Sequence, residues 1–161
     1  MEQGEQAVTP ATGLVIVRDA TTMDLDWLVR EAHEFSKFNG TKRELFTDDE
    51  FARAGFLGFM HQHFLRIAER DGERLGFIAG YITGHPFNPN IRVLCEAMWW
   101  VAEQHRHSRA GLMLLNEYTE WGKAHCDWVQ FALQSHSPVK EETLTKRGYR
   151  KHESSYLLEV D

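Results

Sequence analysis

One stretch decides the fold, residues 95–115, with the sequence CEAMWWVAEQHRHSRAGLMLL. Its first part closes an apolar run that ends at Val101, which is typical of a buried strand. A short polar segment follows, and a helix is predicted to begin near Ala110 and Gly111. A helix start collects unpaired amides and the positive end of the macrodipole, so it binds phosphate without special side chains. The stretch therefore predicts a strand, an anion-binding loop and a helix.

Charged and small residues surround this helix start. Arg106 and Arg109 flank it and are able to add charge-assisted contacts to phosphate oxygens. Ala110 and Gly111 let a ligand approach the backbone closely. The loop is not the nucleotide P-loop, because no G-K-[ST] follows, and it lacks the dinucleotide-binding glycine pattern.

Hydrophobic periodicity predicts a mixed α/β architecture with the order β-α-α-β-β-β-α-β-α-β. The predicted strands cover residues 14–18, 64–68, 75–83, 91–101, 128–133 and 149–160. The predicted helices cover residues 24–36, 47–57, 109–125 and 141–147. Leu114, Tyr118 and Trp121 form a core-facing stripe on the third helix. We expect residues 1–12 to be a flexible arm and residues 13–161 to form a single domain.

Three local patterns predict where elements begin and end. Thr47 to Glu50 reads as a capping box, with the Thr47 hydroxyl satisfying amides at a helix start. Asp71-Gly72 predicts a hairpin turn, because both residues tolerate positive φ. Residues 84–90 contain Pro86 and Pro89 and are predicted to be a loop that forms no regular ladder.

Composition excludes several classes of protein. The chain has 161 residues, with 18 Lys and Arg against 24 Asp and Glu and a formal net charge of −6. This acidic balance argues against non-specific nucleic-acid binding. No apolar run reaches the length needed to span a membrane, and the first residues show no secretory signal. Cys95 and Cys126 allow one disulfide but no disulfide framework, so a reducing compartment, the cytoplasm, is predicted.

The segment 95–115 resembles the central motif of the GNAT superfamily of acetyl-CoA-dependent N-acetyltransferases. That motif runs strand, R/Q-x-x-G-x-G/A, helix, and residues 106–111 match its first and last fixed positions. Arg109 stands where the family usually has Gly, so it either contacts phosphate or obstructs the site. Lys146 to Tyr149 resembles a second family signature, a helix that ends in Gly-Phe or Gly-Tyr. The order of elements matches the family from Leu14 to Val160.

The resemblance implies a mostly antiparallel central sheet flanked by helices, and acetyl-CoA as co-substrate. In the family, the pyrophosphate sits on loop amides, which here run from His107 through Ser108, Arg109 and Ala110 to Gly111, beside Arg106. The pantetheine arm pairs with the splayed end of the motif strand, here the backbone around Trp99 and Val101. An unpaired strand edge offers amide and carbonyl groups to such a ligand.

The resemblance also implies direct acetyl transfer to an amine, which needs a base and is helped by an acid. Glu96 is the candidate base, because a carboxylate in so apolar a strand should have a raised pKa. The family often has Tyr four residues before the Gly of Gly-Phe, but Leu144 stands there. Ser137 is the weak substitute, although its hydroxyl is equally suited to cap the short helix.

A purely structural role remains an alternative for each candidate site residue. Glu96 is alternatively a structural carboxylate, and one of Trp99 and Trp100 is expected in the core while the other walls a pocket. The pairs His61/His63 and His105/His107 have H-x-H spacing but no evident third ligand, so no metal site is predicted.

The acceptor is predicted to be a small cationic amine or a Lys-bearing protein. Its wall is expected from the two early helices and residues 85–90, with Phe35, Phe38, Phe56 and Phe87 making it apolar. Family members often dimerise, so the resemblance also implies a possible homodimer. Two rivals remain: a non-catalytic acyl-CoA-binding or protein-interaction module on the same fold, and a domain that binds no CoA.

Overall fold

The computed structural model describes residues 13–160, and the predicted arm 1–12 and residue 161 lie outside them. The first elements are strand β1 (Ile16–Asp19), a single 3-10 turn (Thr22–Asp24), helix α1 (Leu25–Asn39) and helix α2 (Asp49–Gln62). Helix α1 extends to Asn39, three residues beyond the predicted range 24–36, and Gly40 follows it with a φ of 74°.

Acidic residues stand at the starts of both helices. Asp24 is fully buried before α1, where Arg18 and Arg74 contact its carboxylate at 2.8 and 2.6 Å. These two guanidinium groups offset the cost of burial and hold the pKa of Asp24 well below its usual range. The predicted capping box at Thr47 is wrong by one residue. The cap of α2 is Asp48, whose carboxylate accepts from the amides of Glu50 and Phe51.

Strands β2 (Phe64–Arg70) and β3 (Glu73–His85) form the predicted hairpin. Asp71 and Gly72 make its turn with φ values of 52° and 79°, the backbone shape that this pair was expected to supply. Strand β1 pairs antiparallel with β2 on the far side from β3.

The predicted loop over residues 84–90 is wrong, because a second tight hairpin joins β3 to β4 (Asn88–Val101). His85 pairs with Asn88, and Gly84 pairs with Arg92, so residues 89–91 bulge out of the ladder. The amide that Pro89 lacks falls in this bulge and costs no ladder bond. Gly84 leaves room for it, since a Cβ there would lie 3.3 Å from Pro89.

Helix α3 (Ala110–His125) follows a 3-10 turn (Glu103–His105) and leads into β5 (Trp128–Gln130). Strand β5 pairs parallel with β4, and the sheet order is β1-β2-β3-β4-β5. Three of the four pairings are antiparallel, as expected from the resemblance. Strand β5 has three residues rather than the predicted six.

The predicted last strand, residues 149–160, is wrong. Helix α4 (Glu141–Thr145) is followed by residues with no strand pairing, and Tyr156, Leu157 and Leu158 are exposed. With only three residues, β5 offers little ladder for a further strand. The chain end instead contacts the loop after α1, where the Lys42 amide donates to Glu159 Oε1 at 2.7 Å and the Arg43 guanidinium donates to the Val160 carbonyl at 3.0 Å.

The core lies on both faces of the sheet. On one face, α1 and α2 bury Leu28 and Phe56 against Phe77 and Trp100. On the other face, Leu114 and Tyr118 of α3 are fully buried, as the stripe predicted, and pack against Phe64 and other sheet residues. The two layers meet β4 from opposite sides, and that strand carries the candidate site.

Candidate functional site

Strands β4 and β5 separate after Cys95. Their last paired residues are Cys95 and Gln130, whereas β4 continues to Val101, so the edge of β4 that faces β5 is unpaired over residues 96–101. A cavity of about 540 Å³ occupies the gap. Residues from four parts of the chain line it: Phe35 and Phe38 of α1, residues 96–97 and 99–101 of β4, Arg106, Ser108, Gly111 and Leu112 at the start of α3, and residues 132–134 and 137–139 after β5. The gap therefore joins the predicted loop to the predicted base.

A β-bulge at Ala97 places Glu96. Met98 pairs with Ala79 and Glu96 with Gly80, which leaves Ala97 without a partner. The extra residue reverses the alternation of side chains, so Leu94 packs with the α3 face whereas Met98 packs with the α1 and α2 face. Glu96 precedes the bulge and lines the gap.

Burial raises the pKa of Glu96 to about 8, because its charged form loses solvation in this apolar strand. The backbone amide of Ala132 offsets part of that loss. Tyr118 lies beside Glu96, since a Cβ on Gly80, the pairing partner of Glu96, would come within 2.7 Å of the Tyr118 ring. Burial and the Glu96 charge both raise the Tyr118 pKa, so this phenol stays neutral and donates to the Gln130 carbonyl at 2.7 Å. Glu96 thus combines a near-neutral pKa with a position in the gap.

The start of α3 carries amides that the helix leaves unpaired. Its first intrahelical bond runs from the Met113 amide to the Arg109 carbonyl, so the amides of Gly111 and Leu112 have no acceptor in the helix. Ser108 Oγ accepts from the Ala110 amide at 3.3 Å. No acidic side chain lies in the first turn, in contrast to α2, which Asp48 caps. This end of α3 has the polarity that an anion requires.

The two arginines of the loop take different positions. The Arg106 guanidinium lies over the rings of Phe38 and Trp100, at 5.0 and 4.7 Å from their centroids. It covers the α1 side of the gap, a position that the sequence did not predict. Arg109 is exposed immediately before α3, and His107 is exposed in the same loop.

Both tryptophans line the gap, although one of them was expected only in the core. Trp100 is buried against Phe35 and Phe38. Trp99 packs on Phe131 and donates its indole N–H to the Gly111 carbonyl at 3.1 Å, which fixes the start of α3 against β4.

Ser137 lines the gap but does not cap α4. Its hydroxyl oxygen accepts from the Val139 amide at 3.3 Å within a turn, whereas Lys140 precedes α4 without a side-chain cap. Leu144 lies in α4 and is half-buried. Tyr149 of the second signature contacts α3 instead of the gap, with its hydroxyl 2.9 Å from Thr119 Oγ1.

A second cavity of about 570 Å³ lies between α1, α2 and β4. Phe35 and Ala97 line both this cavity and the gap, so the two cavities are neighbours at the bulge. Its lining includes Phe35 and Phe56, two of the four phenylalanines that the sequence analysis named for an acceptor wall, while Phe38 lines the gap. Phe87 is 94% exposed at the tip of the second hairpin and lines neither cavity.

Among the residues of the second cavity that the sequence reasoning missed are three phenylalanines, Phe46, Phe51 and Phe59. The signal was present, because Phe51, Gly55 and Phe59 are spaced by four on α2 and share a helix face. The Ala97 bulge had no sequence signal that we can identify.

The structure also bears on the cysteines, on metal binding and on membrane spans. Cys95 and Cys126 are both free thiols. Residues 13–160 contain no group of three or more His, Cys, Asp or Glu able to hold a metal ion. Over the same residues, no helix has the length and apolar character to cross a membrane.

Comparison with known proteins identifies the family. The chain matches the Acetyltransferase (GNAT) family over residues 25–139, a range that includes all the residues lining the two cavities. The chain belongs to the GNAT acetyltransferase family. Its general activity is acetyl transfer, with acetyl-CoA as the donor that this family uses. No curated protein matches the chain.

Solved structures share the GNAT fold at low sequence identity. A predicted acetyltransferase with acetyl-CoA from Clostridium acetobutylicum is 15% identical, with a TM-score of 0.70, and the match covers 91% of this chain and 96% of that one. A transcriptional regulator from Bacillus halodurans is 15% identical, with a TM-score of 0.73 and coverage of 91% and 100%. An aminoglycoside acetyltransferase from an uncultured soil sample is 17% identical, with a TM-score of 0.62 and coverage of 92% and 99%.

Proposed function

We propose that this GNAT protein is an N-acetyltransferase that transfers the acetyl group directly from acetyl-CoA to an amine of a small molecule or protein. One observation carries the proposal. The Glu96 carboxylate, the unpaired edge of β4 and the free amides of α3 all border the same gap. A base, a strand edge and an anion site are the three features that such a transfer needs.

The backbone and side-chain groups that border the gap fit acetyl-CoA. We assign the pyrophosphate to the loop from His107 through Ser108, Arg109 and Ala110 to Gly111, where the α3 amides and dipole favour negative charge. Arg109 adds positive charge immediately before α3, and the Arg106 guanidinium adds it on the α1 side of the gap, where its Nε also donates to the Val101 carbonyl at 3.4 Å. The β4 backbone around Trp99 and Val101 offers amide and carbonyl groups to the pantetheine arm, since β5 does not pair there.

Within this arrangement Glu96 removes the proton of the attacking amine. When bound, acetyl-CoA supplies an activated acetyl thioester. With a pKa of about 8, Glu96 is partly ionised near neutral pH and is a stronger base than an ordinary carboxylate. We assign Ser137, the hydroxyl that lines the same gap, to protonating the leaving thiolate. The cytoplasmic location and the homodimer stay predictions of the sequence analysis.

A thermal-shift titration combined with a thiol-release assay tests the proposal. At about a hundredfold excess over Kd, acetyl-CoA should stabilise the protein by about 2.7 kcal/mol. For a chain of this size, that free energy raises Tm by about 5–10 °C. Thiol release should then depend on an added amine. Stabilisation without release across an amine panel would favour the non-catalytic acyl-CoA module, and no shift would exclude the proposed site.

A further inference from the structure

The second cavity is built almost entirely from apolar side chains. We call it the phenylalanine cavity, because Phe35, Phe46, Phe51, Phe56 and Phe59 line it together with Met98. The loop after α1 forms part of its wall and is held down by the Leu45 amide, which donates to Ser36 Oγ at 3.0 Å. Its volume, about 570 Å³, lies in the range typical of small-molecule sites.

The scarcity of polar groups in the phenylalanine cavity disfavours several kinds of acceptor. Asp48 is the one ionisable side chain among its lining residues, all of which the structure describes, and its Oδ1 already accepts from two α2 amides. A polyamine or an aminoglycoside needs several carboxylates or hydroxyl partners, and a free amino acid needs a cation for its carboxylate. Burying such groups without partners is costly. The apolar part of a ligand carries no polar group that must lose its hydration, so its burial in the cavity is favourable.

The phenylalanine cavity lies on the opposite face of the sheet from Glu96 but adjoins the gap that Glu96 lines. Phe35 and Ala97 line both it and the gap, and Glu96 directly precedes Ala97 in the chain. A molecule whose body fills the phenylalanine cavity therefore presents its nearer end to the gap at the bulge. That end lies where an acetyl group held along β4 would be attacked.

We propose that the acceptor is a hydrophobic primary amine, an amino group joined by a short linker to an aromatic or branched aliphatic body. This inference rests on the proposed function. The body occupies the phenylalanine cavity, and the amine nitrogen lies beside Ala97. The nitrogen forms a bond to the acetyl carbonyl carbon, the carbon–sulfur bond breaks and its electron pair leaves with the sulfur. Glu96 takes the amine proton, and the thiolate takes a proton either directly from water or through Ser137, which regains its proton from water.

Two glycines of α2 provide a matched pair of variants. Gly55 lines the phenylalanine cavity and Gly58 does not, while a Cβ at either position meets no atom within 4 Å. Gly55→Leu should fill the cavity and raise KM for phenylethylamine about tenfold or more, because the introduced side chain and the aromatic ring of the amine compete for the same space. Gly58→Leu should leave KM within about twofold. Both variants remove a helical glycine, so both are expected to fold at least as stably as the parent.

The amine panel separates this inference from the proposed function. Phenylethylamine and hexylamine should give at least tenfold higher kcat/KM than spermidine, kanamycin or a lysine-containing peptide. Equal or better turnover of the hydrophilic amines, or equal effects of the two glycine variants, would overturn the acceptor class while leaving acetyl transfer intact. A protein that binds acetyl-CoA but neither binds nor acetylates the apolar amines overturns it as well. Failure to bind acetyl-CoA at all counts instead against the proposed function.

Discussion

Glu96→Gln should lower kcat about a hundredfold to ten-thousandfold, the usual contribution of a general base. Glutamine keeps the shape of the side chain but has no basic form at any working pH. The parent enzyme should gain activity as pH rises and reach a plateau above about 8, because only the ionised Glu96 accepts the amine proton. Stopped-flow or thiol-release kinetics over pH 6–10 measure both effects. The exposed Glu103→Gln is the control and should keep the parent profile.

The same variant should be more stable than the parent at alkaline pH. The folded pKa of Glu96, about 8, lies above its ordinary value of 4.5. Between these values the unfolded chain has lost the proton that the folded chain still holds, so the parent's stability falls as pH rises through this window. Glutamine has no proton to lose, and its advantage at pH 8 should reach a few kcal/mol while vanishing near pH 4.

Urea unfolding of the parent and Glu96→Gln at pH 5 and pH 8 measures this difference. A variant that loses activity without gaining stability at pH 8 would show that Glu96 is solvated and not buried against Tyr118. A variant that gains stability yet keeps its turnover would remove Glu96 from the role of base. The two readouts therefore test burial and chemistry separately.

Arg109→Glu should weaken acetyl-CoA binding about tenfold to hundredfold, since it places a negative charge beside the pyrophosphate and opposes the α3 dipole. Calorimetric titration at low and high salt measures the change, and the difference from the parent should shrink as salt screens the loop. Lys123→Glu, at the other end of α3, changes the net charge equally and should leave the affinity within about twofold.

Arg109→Gly tests whether the Arg109 side chain contacts the pyrophosphate of acetyl-CoA or obstructs its site. The family usually has Gly there, and we expect the variant to bind less tightly, because the exposed arginine reaches phosphate. Tighter binding by Arg109→Gly would mean that the arginine obstructs the site. An unchanged affinity in Arg109→Glu would place the pyrophosphate elsewhere.

Local patterns predicted most of the fold. The Asp71-Gly72 turn and the stripe of α3 depend on a few neighbouring residues, and both were confirmed. The failures involve partners distant in sequence. Residues 149–160 contain strand-forming residues, but β5 is too short to pair with them. Pro89 argued against a ladder, and only its pairing geometry with Gly84 showed that a bulge accommodates it.

Predictions for the candidate site also succeeded where they depended on neighbouring residues and failed where they depended on distant ones. The loop from Arg106 to Gly111 and the position of Glu96 in an apolar strand were predicted from their immediate surroundings. The Arg106 side chain could not be placed, because Phe38 and Trp100, on which it lies, come from a helix and a strand far apart in sequence. The phenylalanine cavity could not be predicted either, because it depends on the Ala97 bulge, which turns Met98 and Glu96 to opposite faces of the sheet.

A crystal structure with acetyl-CoA tests the central claim most directly. We expect density for the pyrophosphate at the amides of Gly111 and Leu112, with the pantetheine arm along β4 between Trp99 and Val101 and the thioester near Glu96. Coenzyme density on any other surface of the protein, or side chains of the chain itself still filling the gap between β4 and β5 at saturating acetyl-CoA, would contradict it.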